Sequence, residues 1–203
     1  MPKSDKPYHH GDLKTALLTE GERILESEGI QALTLRAAAR GVGVSHAAPQ
    51  KHFGDLTGLL SDLAADGHRR FGAVLAEAVA SAGDDPRAKL RAMGRAYVTF
   101  ARDHPGLFTL MFRSERLDAQ RPALKEAIIA QRQALRDAVV TATGAGEEAR
   151  PELVAAKATA GWALVHGYAM LMLEGRLRGT LAALDDLDAL DFFDMVQGSM
   201  RLN

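Results

Sequence analysis

The chain has 203 residues, enough for one well-filled core or for a small domain joined to a medium one. Hydrophobic residues make up 47% of it and charged residues 25%, as in ordinary globular proteins, while abundant alanine and only 5% aromatic residues favour helix over sheet. The absence of cysteine excludes disulfides, thiolate metal sites and cysteine nucleophiles, and a net charge of −1 means that any nucleic-acid-binding surface must be local.

The N-terminal third predicts three short helices after a polar arm of residues 1–11, which has no apolar stretch and so does not resemble a secretion signal. Asp12 is placed to cap the first helix, which Gly29 ends. Thr34 is placed to cap a second helix that runs from Leu35 to about Arg40.

A glycine turn follows, because Gly41-Val42-Gly43 supplies the positive φ that a tight turn between helices needs. Ser45 is placed to cap a third helix that ends near Phe53. Pro49 lacks an N–H group, so the first turn of this helix is expected to be irregular or to start late.

Longer helices are predicted in the rest of the chain, beginning with one from Asp55 or Leu56 to about Ser81. Four later helices begin at or after Pro86, Pro105, Pro122 and Pro151. The most apolar run, Ala158 to Leu173, is too short to span a bilayer and is interpreted as a buried helix. With no alternating strand pattern, the sequence predicts an all-α fold of about nine helices, divided into a three-helix domain (12–55) and a larger helical domain (56–203).

Two short helices joined by a glycine turn are typical of a helix-turn-helix, whose second helix enters the major groove of DNA. Between Gly29 and Gly54 the chain has basic residues and no acidic one. Small residues at the start of the third helix would let the backbone approach the duplex, and the basic ones can reach phosphates. The predicted DNA-binding residues are Thr34, Arg36, Ser45, His46, Ala47, Ala48, Gln50, Lys51 and His52.

These motifs resemble the TetR family of transcriptional regulators. The family signature T-L-R-x-x-A, G-V-S and an aromatic in the recognition helix is matched by Thr34-Leu35-Arg36, Ala39, Gly43-Val44-Ser45 and His52-Phe53. The segments 8–13 and 45–49 are similar to a subgroup that also has a Trp, a His and a Gly on a late helix, matched here by Trp162, His166 and Gly167. Two positions depart from the family pattern: Gln50 replaces the usual phosphate-binding tyrosine, and Leu56 replaces the usual lysine at the start of the fourth helix.

The resemblance implies a homodimer that binds a palindromic operator in double-stranded DNA and responds to an unknown small-molecule effector, with repression as the default. It also implies that the last two helices of each subunit pair into the dimer interface, where Ala158, Gly161 and Ala169 would permit close helix approach. The effector is expected to be largely apolar. The protein is expected to be cytoplasmic and not membrane-bound.

Trp162 and His166 are four residues apart and share a helix face, so they are either a core pair or the walls of a ligand pocket. The buried aromatic and methionine residues of the middle helices allow the same two interpretations. The candidate ligand-binding residues are Met93, Tyr97, Phe100, Phe108, Met111, Trp162 and His166.

No arrangement of nucleophile, base and orienting group is legible, so we expect neither an enzyme nor a cofactor. The adjacent pair His9-His10 does not face one metal site, and no metal is expected. The alternative function is a helical small-molecule-binding or protein-interaction dimer with weakened or lost DNA binding, motivated by Gln50 and Leu56. An enzyme with an apolar helical pocket is a third possibility.

Overall fold

The computed structural model describes residues 10–143 and 150–199, which form ten α-helices, a short 3-10 helix and no strand. The all-α prediction is confirmed. In chain order the helices are α1 (His10–Glu28), α2 (Leu35–Val42), α3 (Ala48–Phe53), α4 (Leu56–Ser81), α5 (Pro86–Asp103), α6 (Pro105–Met111), the 3-10 helix Ser114–Arg116, α7 (Pro122–Thr143), α8 (Pro151–Leu173), α9 (Arg178–Ala182) and α10 (Ala189–Ser199).

The helix boundaries follow the predicted signals closely, with differences at α1, α2 and α9 and at the start of α3. Helix α1 begins at His10, so Asp12 lies in its first turn rather than at its cap. Helix α2 continues through Gly41 and ends before Gly43, which has a φ of 75°. The five-residue α9 was not predicted, because it is too short to show a hydrophobic period.

Helix α3 starts late, as Pro49 predicts, but the role given to Ser45 is wrong. The helix begins at Ala48, and Ser45 contributes its backbone carbonyl, which accepts a hydrogen bond from the Ala48 N–H at 3.0 Å. Pro49 occupies the second helical position and is buried. At that position a missing N–H group breaks no internal helix bond.

The described residues divide into two compact units. The first unit comprises 10–67 and 106–125, and the second comprises 68–105, 126–143 and 150–199. The predicted functional boundary at residues 55 and 56 differs from the boundary between these two units and stays a prediction.

In the first unit, α1, α2 and α3 pack against one another. Their shared core is made of leucine, isoleucine, alanine and phenylalanine side chains that have almost no exposed area, including Leu17, Leu33, Ala38 and Phe53. Burial of this apolar area is what holds the three helices together, since α2 and α3, with eight and six residues, are too short to be stable alone.

In the second unit, α5 contacts both α8 and α10. Val98, Tyr168, Leu190 and Phe193 form a buried cluster there, in which the Tyr168 and Phe193 rings lie 4.9 Å apart. The Tyr168 hydroxyl donates a hydrogen bond to the Ala189 carbonyl and so ties α8 to the start of α10. Among the helices described, none is long and apolar enough to cross a membrane.

Candidate nucleic-acid interface and ligand-binding cluster

The α2–turn–α3 segment is fixed at both ends of α2. Thr34 has an extended backbone, and its Oγ1 accepts a hydrogen bond from the Ala37 N–H at 3.0 Å, so its predicted capping role is confirmed. At the other end, the Gly43 N–H donates to the Arg40 carbonyl and the Val44 N–H donates to the Ala39 carbonyl. These bonds define the angle at which the chain enters α3.

The segment separates into an outward and an inward surface. Its buried residues are Ala38, Ala39, Pro49 and Phe53. Of the predicted DNA-binding residues, Ala48 and His52 are half-buried, and the exposed ones are Thr34, Arg36, Ser45, His46, Ala47, Gln50 and Lys51. Most of the predicted contacts are therefore on the side of the segment that faces solvent.

The outward surface is locally cationic. Arg36, Arg40 and Lys51 are exposed, and no residue between Gly29 and Gly54 is acidic. None of the three cations forms an ion pair with another residue in the described part of the chain. Their charge is thus available to a phosphate backbone.

In the second unit, Trp162 and His166 converge on one buried tyrosine. The Tyr97 hydroxyl lies 3.0 Å from His166 Nδ1 and accepts a hydrogen bond from Trp162 Nε1 at 3.3 Å. Because an indole N–H only donates, the Tyr97 hydroxyl keeps its own proton, which it can donate to Nδ1 of an imidazole protonated at Nε2. The two residues that the sequence places on one helix face are thereby bound to α5.

Burial keeps this cluster uncharged. It raises the pKa of Tyr97 above its ordinary value, an effect that the Trp162 hydrogen bond only partly offsets, and it lowers the pKa of His166. At neutral pH the cluster therefore offers a phenol, an indole and a neutral imidazole, which can form hydrogen bonds without carrying charge.

Aromatic residues surround Tyr97. Phe71 of α4 packs edge-on against its ring at 4.9 Å and lies 5.0 Å from the Phe100 ring, and Met93 is also buried. The periodicity of α4 predicts Phe71 as part of its apolar stripe, but spacing along the chain does not reveal its pairing with a residue of α5.

The seven candidate ligand-binding residues fall into two groups. Five belong to the second unit: Met93, Tyr97, Phe100, Trp162 and His166. Phe108 and Met111 belong to the first unit. There Met111 lies against the backbone of Gly67, and the Phe108 ring lies 5.0 Å from that of Phe112.

A buried histidine of the second unit, paired with a half-buried glutamine, was missed. His68 of α4 has 4% of its surface exposed, and its Nδ1 lies 2.5 Å from Gln131 Oε1 on α7. His68 does not stand out in the sequence, and Gln131 is expected there to be a solvated residue on the helix face, because polar side chains of long helices usually face water.

Comparison with known proteins identifies the family. Residues 90–195, from α5 into α10, match the model of the Tetracyclin repressor-like C-terminal domain. A protein of unknown function from Rhodococcus sp. RHA1 is 34% identical in sequence, with 96% of each chain covered and a TM-score of 0.80. The chain belongs to the TetR family.

Other solved structures share the fold at lower identity. PfmR of Thermus thermophilus, a TetR family transcriptional regulator, is 17% identical over 90% of this chain and 94% of its own, with a TM-score of 0.64. AibR, solved in complex with isovaleryl coenzyme A and operator DNA, is 17% identical over 75% of this chain and 83% of its own, with a TM-score of 0.57. No curated protein matches the sequence.

The two departures from the TetR pattern lie in α3 and at the start of α4. Gln50 is exposed on α3, where it can still donate a hydrogen bond, whereas Leu56 is half-buried at the first position of α4 and offers neither charge nor hydrogen bond. The TetR subgroup motif also continues past His166 to Gly167, which is exposed and would have no heavy atom within 4 Å of an added Cβ.

One of the three residues predicted to permit close helix approach at the dimer interface is buried within its own subunit. Ala169 has no exposed area and packs inside its own subunit, because α8 presents this side to the core cluster around Tyr168. Ala158 and Gly161 are partly exposed.

Proposed function

We propose that this TetR family regulator is a repressor that binds a palindromic operator as a homodimer and releases it when a small molecule binds to the helical domain. Ligand-responsive control of transcription is the general function of the family. The observation that carries the proposal is the outward surface of α2 and α3, with its three cations and no acidic residue.

On the DNA side, Lys51 and Arg36 are assigned to phosphates, and the N-terminus of α2 is oriented to offer N–H groups to another phosphate. His46 and Gln50 are assigned to base edges, because both are exposed and can donate and accept hydrogen bonds. In a two-fold dimer the two α3 helices would enter successive major grooves about 34–36 Å apart.

The dimer interface is assigned to α8 and α10. Exposed small or apolar residues follow one face of α8, at helical spacing: Ala156, Ala160, Ala163, Gly167 and Leu171. On α10, Met195 has 62% of its surface exposed. Such a contiguous apolar face is unusual for a monomer and fits a second copy of the chain, as in the family generally.

The effector site is assigned to the cluster around Tyr97. Uncharged hydrogen-bonding groups set among aromatic rings are suited to a largely apolar small molecule with one or two polar groups. The relative AibR, solved with both a ligand and operator DNA, supports a two-state mechanism in which effector and operator favour different conformations.

In the test, the protein first selects a duplex from a random-sequence library. The sequence of the selected duplex shows whether it is palindromic. Small apolar compounds are then screened by the shift in melting temperature, and each hit is titrated into the protein–duplex complex. Binding of the duplex together with release by a hit is the expected result. Equal DNA affinity with and without a stabilising hit would contradict the switch.

Gln50 and Leu56 favour a second function, a ligand-binding dimer that has lost DNA binding. The dependence of DNA affinity on salt separates the two functions. A repressor shows a steep linear decrease of log affinity with log salt, whereas a protein without phosphate contacts shows no measurable binding at any salt concentration.

A further inference from the structure

A buried ion cluster in the first unit is used by none of the roles above. Asp62 of α4 has 5% of its surface exposed. Its carboxylate accepts a hydrogen bond from Arg121 Nε and forms an ion pair with Lys14 of α1 at 2.8 Å. We call Lys14, Asp62 and Arg121 the Asp62 cluster.

The Asp62 carboxylate is held in its charged form. Burial alone would raise its pKa, but the hydrogen bonds and charges of Arg121 and Lys14 outweigh burial and leave the pKa below its ordinary value. The hydrogen bond to Asp62 likewise raises the pKa of Arg121. Because two cations share one carboxylate, removal of either leaves Asp62 with the other, so the loss of one cation need not unfold the protein.

Both cations of the cluster adjoin the end of the recognition helix α3. Lys14 Nζ lies 5.9 Å from the centre of the Phe53 ring. Gly58, in the first turn of α4, lies between Arg121 and α3: a Cβ added to Gly58 would overlap the Phe53 carbonyl oxygen and lie 3.1 Å from Arg121 Nη1. The position of α3 against α4 thus depends on which atoms occupy the small space around Gly58.

Arg121 comes from a segment that the sequence assigns to the other domain. Residues 106–125 follow α5 and lead into α7, yet they pack with the first unit. Two further sets of hydrogen bonds attach this segment. The Ser61 hydroxyl accepts from the Asp118 N–H at 2.8 Å, and the Glu26 carboxylate accepts from the N–H groups of Gly106 and Leu107, each at 2.8 Å.

We propose that Arg121 is a positioning residue for operator recognition, which rests on the DNA-binding function proposed above. It touches no base or phosphate. Held on Asp62, its guanidinium fixes the end of α3 against the first turn of α4 and so sets the angle at which the recognition helix meets the major groove. Hydrogen bonds to base edges require the recognition helix to be positioned to within a fraction of an ångström. Phosphate contacts made by flexible cations tolerate a change in the angle of the helix.

The experiment compares Arg121→Ala, Arg121→Lys and the matched control Lys125→Ala. Lys125 is exposed in the first turn of α7, in the same segment, and forms no ion pair with another described residue. Each protein is titrated with the duplex that the wild type selects from a random library and with a shuffled duplex of equal length and composition. Melting temperature and the active fraction are measured in parallel.

For Arg121→Ala we expect affinity for the selected duplex to fall about tenfold, the scale of one impaired base contact, with affinity for the shuffled duplex unchanged. Arg121→Lys should recover part of the selectivity. Lys125→Ala should either lower the affinity for both duplexes equally or leave both affinities unchanged. A purely stabilising role would lower the melting temperature and leave selectivity intact, which contradicts the proposal. An equal loss of affinity for both duplexes would mean that Arg121 is an ordinary phosphate contact, which would also contradict the proposal.

The wild-type protein separates this proposal from the one on which it rests. If it selects no duplex, the DNA-binding function fails and the positioning role fails with it. If it selects a duplex that Arg121→Ala still distinguishes from the shuffled one, only the positioning role fails.

Discussion

The Tyr97 hydroxyl forms hydrogen bonds that join α5 to α8, through Trp162 and His166. A neutral imidazole suits this place, because a protonated ring would lose its Nδ1 acceptor and carry charge into a partly buried site. Folding thus depends on the protonation state of His166.

This dependence gives a prediction with a defined sign. The pKa of His166 is lowered from 6.5 in the folded protein, so the unfolded chain binds the proton more readily and protonation favours unfolding. The free energy of unfolding should therefore fall as the pH drops below about 6.5 and be insensitive to this group above it. Urea denaturation at pH 7.5 and 5.5 measures the effect. His166→Gln should lose less stability over that interval, and an equal loss in both proteins would contradict the assignment.

Lys51 provides a test of the cationic surface. It is exposed on α3 and free of ion pairs with other described residues. Lys51→Ala should weaken binding to every duplex and reduce the slope of log affinity against log salt by about one unit. Arg132→Ala, which removes an exposed cation from α7, is the control and should leave the slope unchanged. A slope unaltered by Lys51→Ala would mean that this residue makes no phosphate contact.

At the scale of single residues, most of the side chains that the sequence predicts for DNA contact are exposed, because the helix-turn-helix pattern defines an inner and an outer surface; Ala48 and His52 are half-buried. The sequence placed Tyr97 and His166 in one candidate pocket without predicting their hydrogen bond, and it did not predict the pairs His68–Gln131 and Asp62–Arg121. Each pair joins residues that are far apart in the chain, so the pairing is visible only once the helices are packed.

At the scale of helices, the end of α3 comes very close to the first turn of α4 at Gly58. Gly58→Ala should lower the free energy of unfolding by about 1–3 kcal/mol, because the added methyl group overlaps the Phe53 carbonyl oxygen and the end of α3 must move. Selectivity for the selected duplex should fall as well.

Gly72 is the matched control for this substitution. It lies in the same helix, and an added Cβ there has no heavy atom within 4 Å. Gly72→Ala should raise the free energy of unfolding by up to about 1 kcal/mol, the gain in helix propensity. Chemical denaturation of both variants tests the comparison. A stabilising effect of Gly58→Ala would show that the α3–α4 contact adjusts without strain.

Helix ends were predictable where one residue decides them. Prolines mark the starts of α5, α6, α7 and α8, since each occupies a position where its missing N–H costs nothing. The start of α3 was predicted less well, because a serine that caps many helices here contributes only its carbonyl.

For the whole molecule, the interface proposed for α8 and α10 makes a prediction about assembly. Gly167→Arg should convert the dimer into a monomer in sedimentation velocity, because the glycine lies on the exposed small-residue face of α8 and has space for a side chain within its own subunit. Gly72→Arg places the same side chain at an equally open glycine of α4 and should leave the dimer intact. A dimer that survives Gly167→Arg would place the interface elsewhere.

The overall architecture followed from the sequence because helical periodicity and the family motifs extend over most of the chain. The attachment of residues 106–125 to the first unit did not follow. It depends on contacts such as that of Glu26 with the start of α6, and chain order assigns that segment to its sequence neighbours.

The brevity of α3 has a consequence for how such a protein diversifies. Six residues provide very few internal backbone bonds, so this helix takes its shape from the buried Pro49 and Phe53 beneath it. The side chains that would face DNA contribute almost nothing to folding. Mutation can therefore replace them one after another, and new operator preferences can arise while the scaffold stays intact.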